Sequence, residues 1–385
     1  MSETRHEFSA TDLRNWKPLA DFRRCLATLW PPPHERTWAD PQRLLQAQEY
    51  LGLFLFGLLN PVVRTMRGLC AASHLERVQR EVCGRPVSLG SFSEAQHLLD
   101  PAILEKVFNG LAQEVQGPAG AKRPWLIQDS SLFNALPRMH WALWRRQGKV
   151  QAQVRLHLSL DLSQGSPARA AVTTGRVCER AAWERALRPG DAYVADRYFS
   201  ENYELLQRLD LKGVAFVVRL RDTAVVQVEQ ELPCLEADRH AKVLDDAWVR
   251  LGCKPCYQTR RLRLVRVQTE QEVLLLLTNL GPQELSAAHV ALLYKERWQV
   301  ELFFRWIKYI LGCRHWLAES ESGAAIQLYL ALIGGLLLHL YSGQRPNRRM
   351  MELLQFYLLG LATLEETRAA MRREKRRQAA NAKKS

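Results

Sequence analysis

The first third of the chain carries apolar residues at helical spacing between turn signals. WPPPHER at 30–36 and CGRPVSLGS at 83–91 are typical of turns. Asp100 precedes Pro101, which is the arrangement of an N-cap and a first helical residue. The pattern predicts a helical N-terminal domain over residues 1–115.

After QGPAGAKRP at 116–124, which has the composition of a linker, the apolar pattern becomes that of strands. VRLHLSLDL alternates strictly, while WLIQD and YVAD are short apolar runs that each end in an acid. Helical stretches, CERAAWERAL and SENYELLQRL, lie between the strand-like runs, and VAFVVRL follows. Residues 120–221 are therefore predicted to form a mixed sheet with helices packed on it.

The pattern changes again beyond Asp222. AVVQVEQ, RRLRLVRVQ and EVLLLLTNL predict a β-rich insertion over 222–285. Ser286 can cap a long helix, with which the second part of the α/β region, 286–345, begins. Residues 346–385 are predicted to be a helical, basic tail, which either binds DNA or is a solvated terminus.

Two apolar stretches raise the question of a membrane. Residues 322–344 contain no charge over roughly the length that crosses a bilayer, but Gly334, Gly335 and His339 dilute the run. The stretch at 51–63 is too short to cross. We therefore expect two buried core helices and no membrane.

The cysteines and the N-terminus favour a protein of a reducing cytoplasm. Eight cysteines are scattered through the chain, and the first residues lack the apolar core of a signal peptide. Cys253 and Cys256 have a C-x-x-C spacing, but no second pair follows at a zinc-site distance, so no metal is predicted there.

The chain carries a large excess of positive charge. Fifty-four Lys and Arg against forty Asp and Glu give a formal charge of +14. Such an excess favours a polyanionic partner, nucleic acid before an acidic membrane surface, with plain solubilising charge as the alternative.

One helix carries a polar stripe on an otherwise apolar surface. In YKERWQVELFFRWIK, residues Tyr294, Arg297, Glu301 and Lys308 fall within an arc of about 60° on an ideal helix, with Arg305 beside them. We expect the helix to be packed on nearly every other side. The stripe then faces a polar site, unless Glu301 only pairs with the arginines four residues away.

Two acids upstream favour a site. Asp129 closes WLIQD and Asp196 closes YVAD, and acids at the ends of neighbouring strands project from one rim of a sheet. With Glu301 they form a carboxylate cluster whose mutual repulsion divalent cations relieve. Two such ions about 4 Å apart provide what phosphoryl transfer needs.

The spacing Y-x2-R-x3-E-x6-K closely resembles the YREK signature of the insertion sequence 4 family of DDE transposases, which includes the transposon 5 transposase. The contexts QDSS, ADRYF and FVVRLR and the β-rich insertion are also similar to that family. The resemblance covers residues 120–345. The helical N-terminal region matches only in general character and shows no clear helix-turn-helix signature.

The resemblance implies a ribonuclease H-like (retroviral integrase-like) catalytic domain that binds two Mg²⁺ ions, with Mn²⁺ as a substitute. It also implies nicking at terminal inverted repeats, hairpin formation and opening, and joining to target DNA by a homodimer in a synaptic complex. The implied metal ligands are Asp129, Asp196 and Glu301, and the implied DNA contacts are Tyr294, Arg297, Lys308, Arg197, Arg219, Arg221 and Trp248. Trp248 would stack on a flipped base, or it is a core residue of the insertion.

Two other functions remain open from the sequence. A different two-metal nuclease of the same fold would need the same acids, and joining of a 3′-hydroxyl end distinguishes it from a transposase. A domesticated DNA-binding protein that no longer cuts is the other, although all three acids are present.

Overall fold

The computed structural model describes residues 44–60, 62–117, 124–146, 148–252, 260–359 and 361–382. Cys253 and Cys256 lie outside the described residues, as do the turn predicted at 30–36 and the rest of the first 43 residues.

Short helices occupy the described part of the N-terminal region. Their bounds are α1 Ala47–Leu59, α2 Met66–Ala72, α3 Glu76–Val78, α4 Leu89–Leu98 and α5 Pro101–Gln116, with a π-helical turn, Gln79–Cys83, after α3. The predicted cap is present, since Asp100 Oδ1 accepts from Ala102 N at 2.9 Å and Pro101 begins α5. These helices share one apolar core with later parts of the chain, so their folding as a separate domain stays a prediction.

In the part of the chain that the structure describes, ten strands form one mixed sheet. They are β1 Trp125–Asn134, β2 Leu143–Arg146, β3 Lys149–Asp161, β4 Ser166–Thr174, β5 Ala192–Ala195, β6 Ala215–Arg219, β7 Val226–Leu232, β8 Val243–Leu251, β9 Leu262–Gln268 and β10 Val273–Thr278. The order is β2-β3-β1-β5-β6-β10-β9-β8-β7, and β4 pairs with β3. The pairs β1–β5 and β5–β6 are parallel, and the others are antiparallel. The predicted mixed α/β architecture is confirmed.

Helices cover both faces of this sheet. They are α6 Glu179–Ala186, α7 Arg197–Ser200, α8 Tyr203–Leu211, α9 Glu236–His240, α10 Ala287–Lys295, α11 Gln299–Arg305, α12 Glu321–Ser342, α13 Arg348–Leu358 and α14 Leu364–Ala382, and a 3-10 turn, His140–Ala142, precedes β2. One core joins α1, α5, α11 and α12 to β1 and β3, a second lies beneath α6 and α8, and a third lies beneath α10.

The strand-rich pieces beyond Asp222 extend the central sheet. β10 pairs with β6, and β9, β8 and β7 follow in order. A buried ion pair holds this extension to the chain that leads into α10. Arg263 makes two hydrogen bonds to the Asp246 carboxylate, at 2.8 and 2.6 Å, and also donates to the carbonyl of Leu285.

The helix predicted to begin at Ser286 is broken into pieces. Ser286 caps α10 as expected, accepting from His289 N, but a 3-10 turn (Glu296–Trp298) and a π-helical turn (Trp306–Ile310) flank α11. Such turns depart from 100° per residue, so the surface differs from that of an ideal helix. Trp298 is 51% exposed and Tyr309 is 59% exposed, and the expectation of packing on nearly every side was therefore wrong.

α12 is the charge-poor stretch that could cross a membrane by length and composition, and among the described residues no other helix meets that test. Of its apolar window, Glu321–Leu340, 89% is buried inside the chain, as a core helix requires. Gly335 permits this packing, since a Cβ there would lie 3.1 Å from the Trp306 ring. The shorter stretch forms α1, which is almost wholly buried.

We expect Asp246→Ala to destabilise the fold by about 3–5 kcal/mol, because it leaves the Arg263 guanidinium, which is 1% exposed, without its counter-charge. Urea denaturation followed by circular dichroism measures this change. The matched control is Asp245→Ala, whose half-exposed pair with Arg266 contributes less than about 1 kcal/mol. Equal losses in the two variants would contradict the expectation.

Candidate functional site

Asp129 lies within β1. The sequence predicted that its strand ends at this acid, but the strand continues to Asn134, so that boundary was wrong. The reason is pairing with the long strand β3, in which Asp129 lies opposite Leu158 and SSLFN is held as strand. On the other side of β1, the parallel pairing with β5 stops at Ile127↔Val194.

Asp196 comes directly after β5, as predicted. Its Oδ1 accepts a hydrogen bond from Tyr198 N at 3.0 Å, so it caps the short helix α7. Both acids lie two residues beyond the last parallel pair, Ile127↔Val194. The register of β1 and β5 therefore directs Asp129 and Asp196 to the same place.

Arg297 connects the helical stripe to this place. Its Nη2 donates to Glu301 Oε1 at 2.7 Å, and its Nη1 lies 3.7 Å from Asp129 Oδ2. The guanidinium is also 6.0 Å from the centroid of the Tyr294 ring. The stripe thus faces the acids of the sheet, and the pairing of Glu301 with Arg297 that we considered as an alternative is present as well.

Burial and nearby like charges disfavour ionisation of the acids. The pKa of Asp129 rises to about 7, first through burial and then through the charge of Glu179, although the backbone N–H of Ser130 and Arg297 both lower it. Burial also raises the pKa of Asp196, against hydrogen bonding from Tyr198 N and the charges of Arg297 and Arg197. A cation at this place would remove the cost of ionising both groups.

Glu179 is a further acid of this place that we did not identify from the sequence. It begins α6, its side chain is 13% exposed, and its Oε2 lies 3.6 Å from Arg155 Nη1. Burial raises its pKa despite Ser130 and Arg155. An acid in the first turn of a helix is common because it complements the helix dipole, so its position in the sequence carried no separate signal.

The donor set fits hard divalent cations, since every candidate ligand is a carboxylate and Asp129 and Asp196 converge. In the part of the chain that the structure describes, however, no three His, Cys, Asp or Glu side chains are close enough to share one ion. Arg297 stands between Asp129 and Glu301. Glu301 would have to leave this arginine to join the other two acids.

Of the predicted DNA contacts, Lys308 is half-buried and lies beside a groove. It lines a groove of about 680 Å³ together with Arg314, His315 and Trp316. Its Nζ is 4.9 Å from the centroid of the Phe133 ring, and burial together with the charge of Arg314 lowers its pKa.

The other predicted basic contacts differ in how accessible they are. Arg197 is exposed. Arg219 makes hydrogen bonds to Glu272 at 2.9 and 2.6 Å, and Arg221 pairs with Glu201, so both have partners within the chain.

Trp248 is not brought to the acids. It lies on β8, five strands from β1, which is about 24 Å along the sheet at the usual strand spacing. It is half-buried, and the Arg261 guanidinium lies 4.6 Å from its ring centroid.

Residues 120–334, more than half of the chain, match the family model described as a transposase DDE domain. The chain therefore belongs to the DDE transposase family. The resemblance to insertion sequence 4 members is confirmed, since the relatives include a protein of Synechocystis that is named as the transposase for insertion sequence element IS4SA.

That protein is 21% identical over 313 residues, which are 78% of this chain and 83% of its own length. A protein of Sinorhizobium fredii that is named as transposase y4zB is 30% identical over 235 residues, or 59% of this chain. The chain spans less than two thirds of that relative, namely 63%. A solved piggyBac transposase synaptic complex with hairpin DNA aligns with 96% of this chain and 84% of its own, at a TM-score of 0.46 and 11% identity, which is too low to indicate a common fold.

We expect the metal-free protein to lose stability as the pH rises from 5 to 8, by roughly 2–3 kcal/mol through Asp129. The folded state raises the pKa of this acid to about 7, so below pH 7 the folded state holds a proton that the unfolded state has released. The contribution is therefore complete at low pH and lost as the pH passes the folded pKa. Urea denaturation in EDTA, compared with Asp129→Asn, measures it. An identical pH dependence in both proteins would contradict this expectation.

Proposed function

We propose that this chain is a DNA transposase that cuts and joins DNA by metal-dependent phosphoryl transfer. The observation that supports this most directly is that Asp129 and Asp196 meet the helix that carries the Tyr294–Lys308 stripe. Arg297 links the two, since its guanidinium lies 2.7 Å from Glu301 and 3.7 Å from Asp129. That meeting occurs within the residues that match the transposase DDE domain.

In this proposal Asp129, Asp196 and Glu301 hold the ions, which are two Mg²⁺ or, in their place, Mn²⁺. When bound, such ions lower the pKa of an attacking water or 3′-hydroxyl and stabilise the leaving oxygen. Release of Glu301 frees Arg297 to bind a phosphate beside the acids, with Tyr294 next to it. A planar guanidinium suits that exchange, because it binds carboxylate and phosphate in the same forked geometry.

The basic surface around the acids fits a polyanion. Lys308 lines the groove beside α11, and Arg197 is exposed next to Asp196. Arg219 and Arg221 would exchange their carboxylate partners, Glu272 and Glu201, for phosphates of the DNA backbone. The formal charge of +14 is consistent with such binding. For Trp248 the base-stacking role requires DNA that extends across the sheet to β8.

We also propose the ribonuclease H-like fold for the central sheet, in which antiparallel β4, β3 and β1 are followed by parallel β5 and β6. The substrates would be the terminal inverted repeats and target DNA. The reaction would pass through a hairpin at the transposon end and would be carried out by a homodimer in a synaptic complex, in the bacterial cytoplasm at the nucleoid. The helical N-terminal region and the basic C-terminal tail would provide further DNA contacts.

The decisive experiment incubates the purified protein with Mg²⁺ or Mn²⁺ and the DNA that flanks its own gene. A transposase yields double-strand breaks, hairpinned ends and joined products. Cleavage without joining would favour a two-metal nuclease of the same fold, and binding without cleavage would favour a domesticated DNA-binding protein.

We expect Asp129→Ala, Asp196→Ala and Glu301→Ala each to abolish cleavage while DNA binding is largely retained, because holding ions and gripping phosphates are separate tasks. Gel assays of cleavage and of binding measure the two. The control is Glu352→Ala on α13, an acid that pairs with Arg348 and Arg349 on its own helix, and it should cleave normally. Strand cleavage by any of the three site variants would remove that acid from the proposal.

For Arg297→Ala we expect weaker binding to the cleaved DNA end and a shallower salt dependence, by about one unit of slope, because one phosphate contact is lost. Binding titrations at several salt concentrations give the slope. Arg260→Ala is the matched control, since its guanidinium is exposed and pairs with Asp210. An unchanged slope in Arg297→Ala would exclude Arg297 from the phosphate contacts.

A further inference from the structure

Glu179 lies where the polypeptide returns from β4 towards β5, at the first residue of α6. This helix packs against β1 and β3, the strand that carries Asp129 and its antiparallel neighbour. The Oε1 atom of Glu179 is buried and has no hydrogen-bond partner among the described residues. A buried carboxylate oxygen without a partner is costly, so its presence requires an explanation.

Arg155 does not satisfy this carboxylate. Its Nη1 lies 3.6 Å from Glu179 Oε2, but it donates to Ser130 Oγ at 2.8 Å, and Nη2 reaches the carbonyl of Gly175 at 3.4 Å. The Arg155 guanidinium therefore donates hydrogen bonds to β1 and to the turn after β4 rather than to Glu179. Glu179 is left with a counter-charge at 3.6 Å, a hydrogen bond from the Ser130 side chain, and one oxygen, Oε1, without a partner among the described residues.

Ser130 brings Glu179 next to the acids of the site. The backbone N–H of Ser130 donates to Asp129 Oδ1 at 2.7 Å, while its side chain lies beside Glu179 and Arg155. The charge of Glu179 raises the pKa of Asp129, and the charge of Asp196 raises the pKa of Glu179. Ser130 thus links Asp129 to Glu179, and both acids lie within electrostatic range of Asp196.

A second glutamate on the same helix differs from Glu179 in that an arginine hydrogen-bonds to its carboxylate. Glu184 accepts from Arg208 Nε at 2.6 Å and from Nη2 at 3.2 Å, so its charge is matched within the chain. Glu301 is similarly matched by Arg297 at 2.7 Å. In the described part of the chain, no arginine donates a hydrogen bond to Glu179, since Arg155 Nη1 lies 3.6 Å away.

We propose that Glu179 is a further carboxylate of the metal site, which holds a divalent cation together with Asp129 and Asp196. This rests on the proposed function, which places the ions at Asp129 and Asp196. As they stand the three side chains are not close enough to share one ion. Glu179 has three rotatable side-chain bonds with which to turn its unpartnered oxygen towards the cation.

The test measures Mn²⁺ binding to the full chain without DNA, by electron paramagnetic resonance of the free ion. We expect Glu179→Gln to weaken the tightest Mn²⁺ site by about tenfold or more, the range found when groups that support a metal site are removed. Glu184→Gln, which removes the same charge from the same helix, should bind Mn²⁺ as the unaltered protein does. Unchanged affinity in Glu179→Gln would overturn the proposal, and so would an equal loss in Glu184→Gln.

The Asp129→Asn variant distinguishes a failure of the role of Glu179 from a failure of the metal site in the proposed function. If Asp129→Asn loses Mn²⁺ binding and Glu179→Gln does not, only the role of Glu179 fails. If Asp129→Asn binds Mn²⁺ normally, the metal site of the proposed function fails as well.

Glu179→Asp covers the case in which the Gln variant does not fold, which circular dichroism reveals. This variant keeps the charge beside Arg155 but shortens the side chain by one methylene group. We expect it to fold and to bind Mn²⁺ several-fold more weakly than the unaltered protein. Full affinity in a folded Glu179→Asp variant would count against ligation by this side chain.

Discussion

The register of β1 between β3 and β5 is the constraint on which the site depends. The parallel pairing of β1 and β5 ends at Ile127↔Val194, two residues before an acid in each segment, so Asp129 and Asp196 reach the same place. Antiparallel pairing with β3 keeps β1 extended past Asp129 as far as Asn134. A slip of one residue would turn Asp129 to the opposite face of the sheet, so the apolar side chains that fix the register also fix the site.

Charge balance is the second determinant of the site. Burial makes ionised carboxylates costly, and Arg297 offsets part of this cost by lying between Asp129 and Glu301. Without metal, the Arg297 guanidinium thus occupies space between Asp129 and Glu301, which divalent ions would hold together. The proposed function requires these ions to replace the guanidinium there.

The large apolar core explains why α11 stays close to the sheet. Val300, Phe303 and Phe304 of this helix are buried in the same core as β1, β3 and the central helix α12. Described helices of the N-terminal region pack onto α12 within that same core. The extension from β6 to β7 is held more locally, by the Arg263–Asp246 pair.

Local patterns in the sequence determined the order of strands and helices, the caps Asp100 and Ser286, and the stripe of Tyr294, Arg297, Glu301 and Lys308, because hydrogen bonding and side-chain periodicity act over a few residues. Three features depended on contacts between distant segments and were decided only by the tertiary structure. They are the continuation of β1 beyond Asp129 through its pairing with β3, the breaks in the helix that carries Glu301, and the position of Glu179 beside Asp129. Nothing near Glu179 in the chain distinguishes it from Glu184. The packing of α6 on β1 and β3 distinguishes the two glutamates. It buries Glu179 near Asp129 and Asp196, and it leaves Glu184 paired with Arg208.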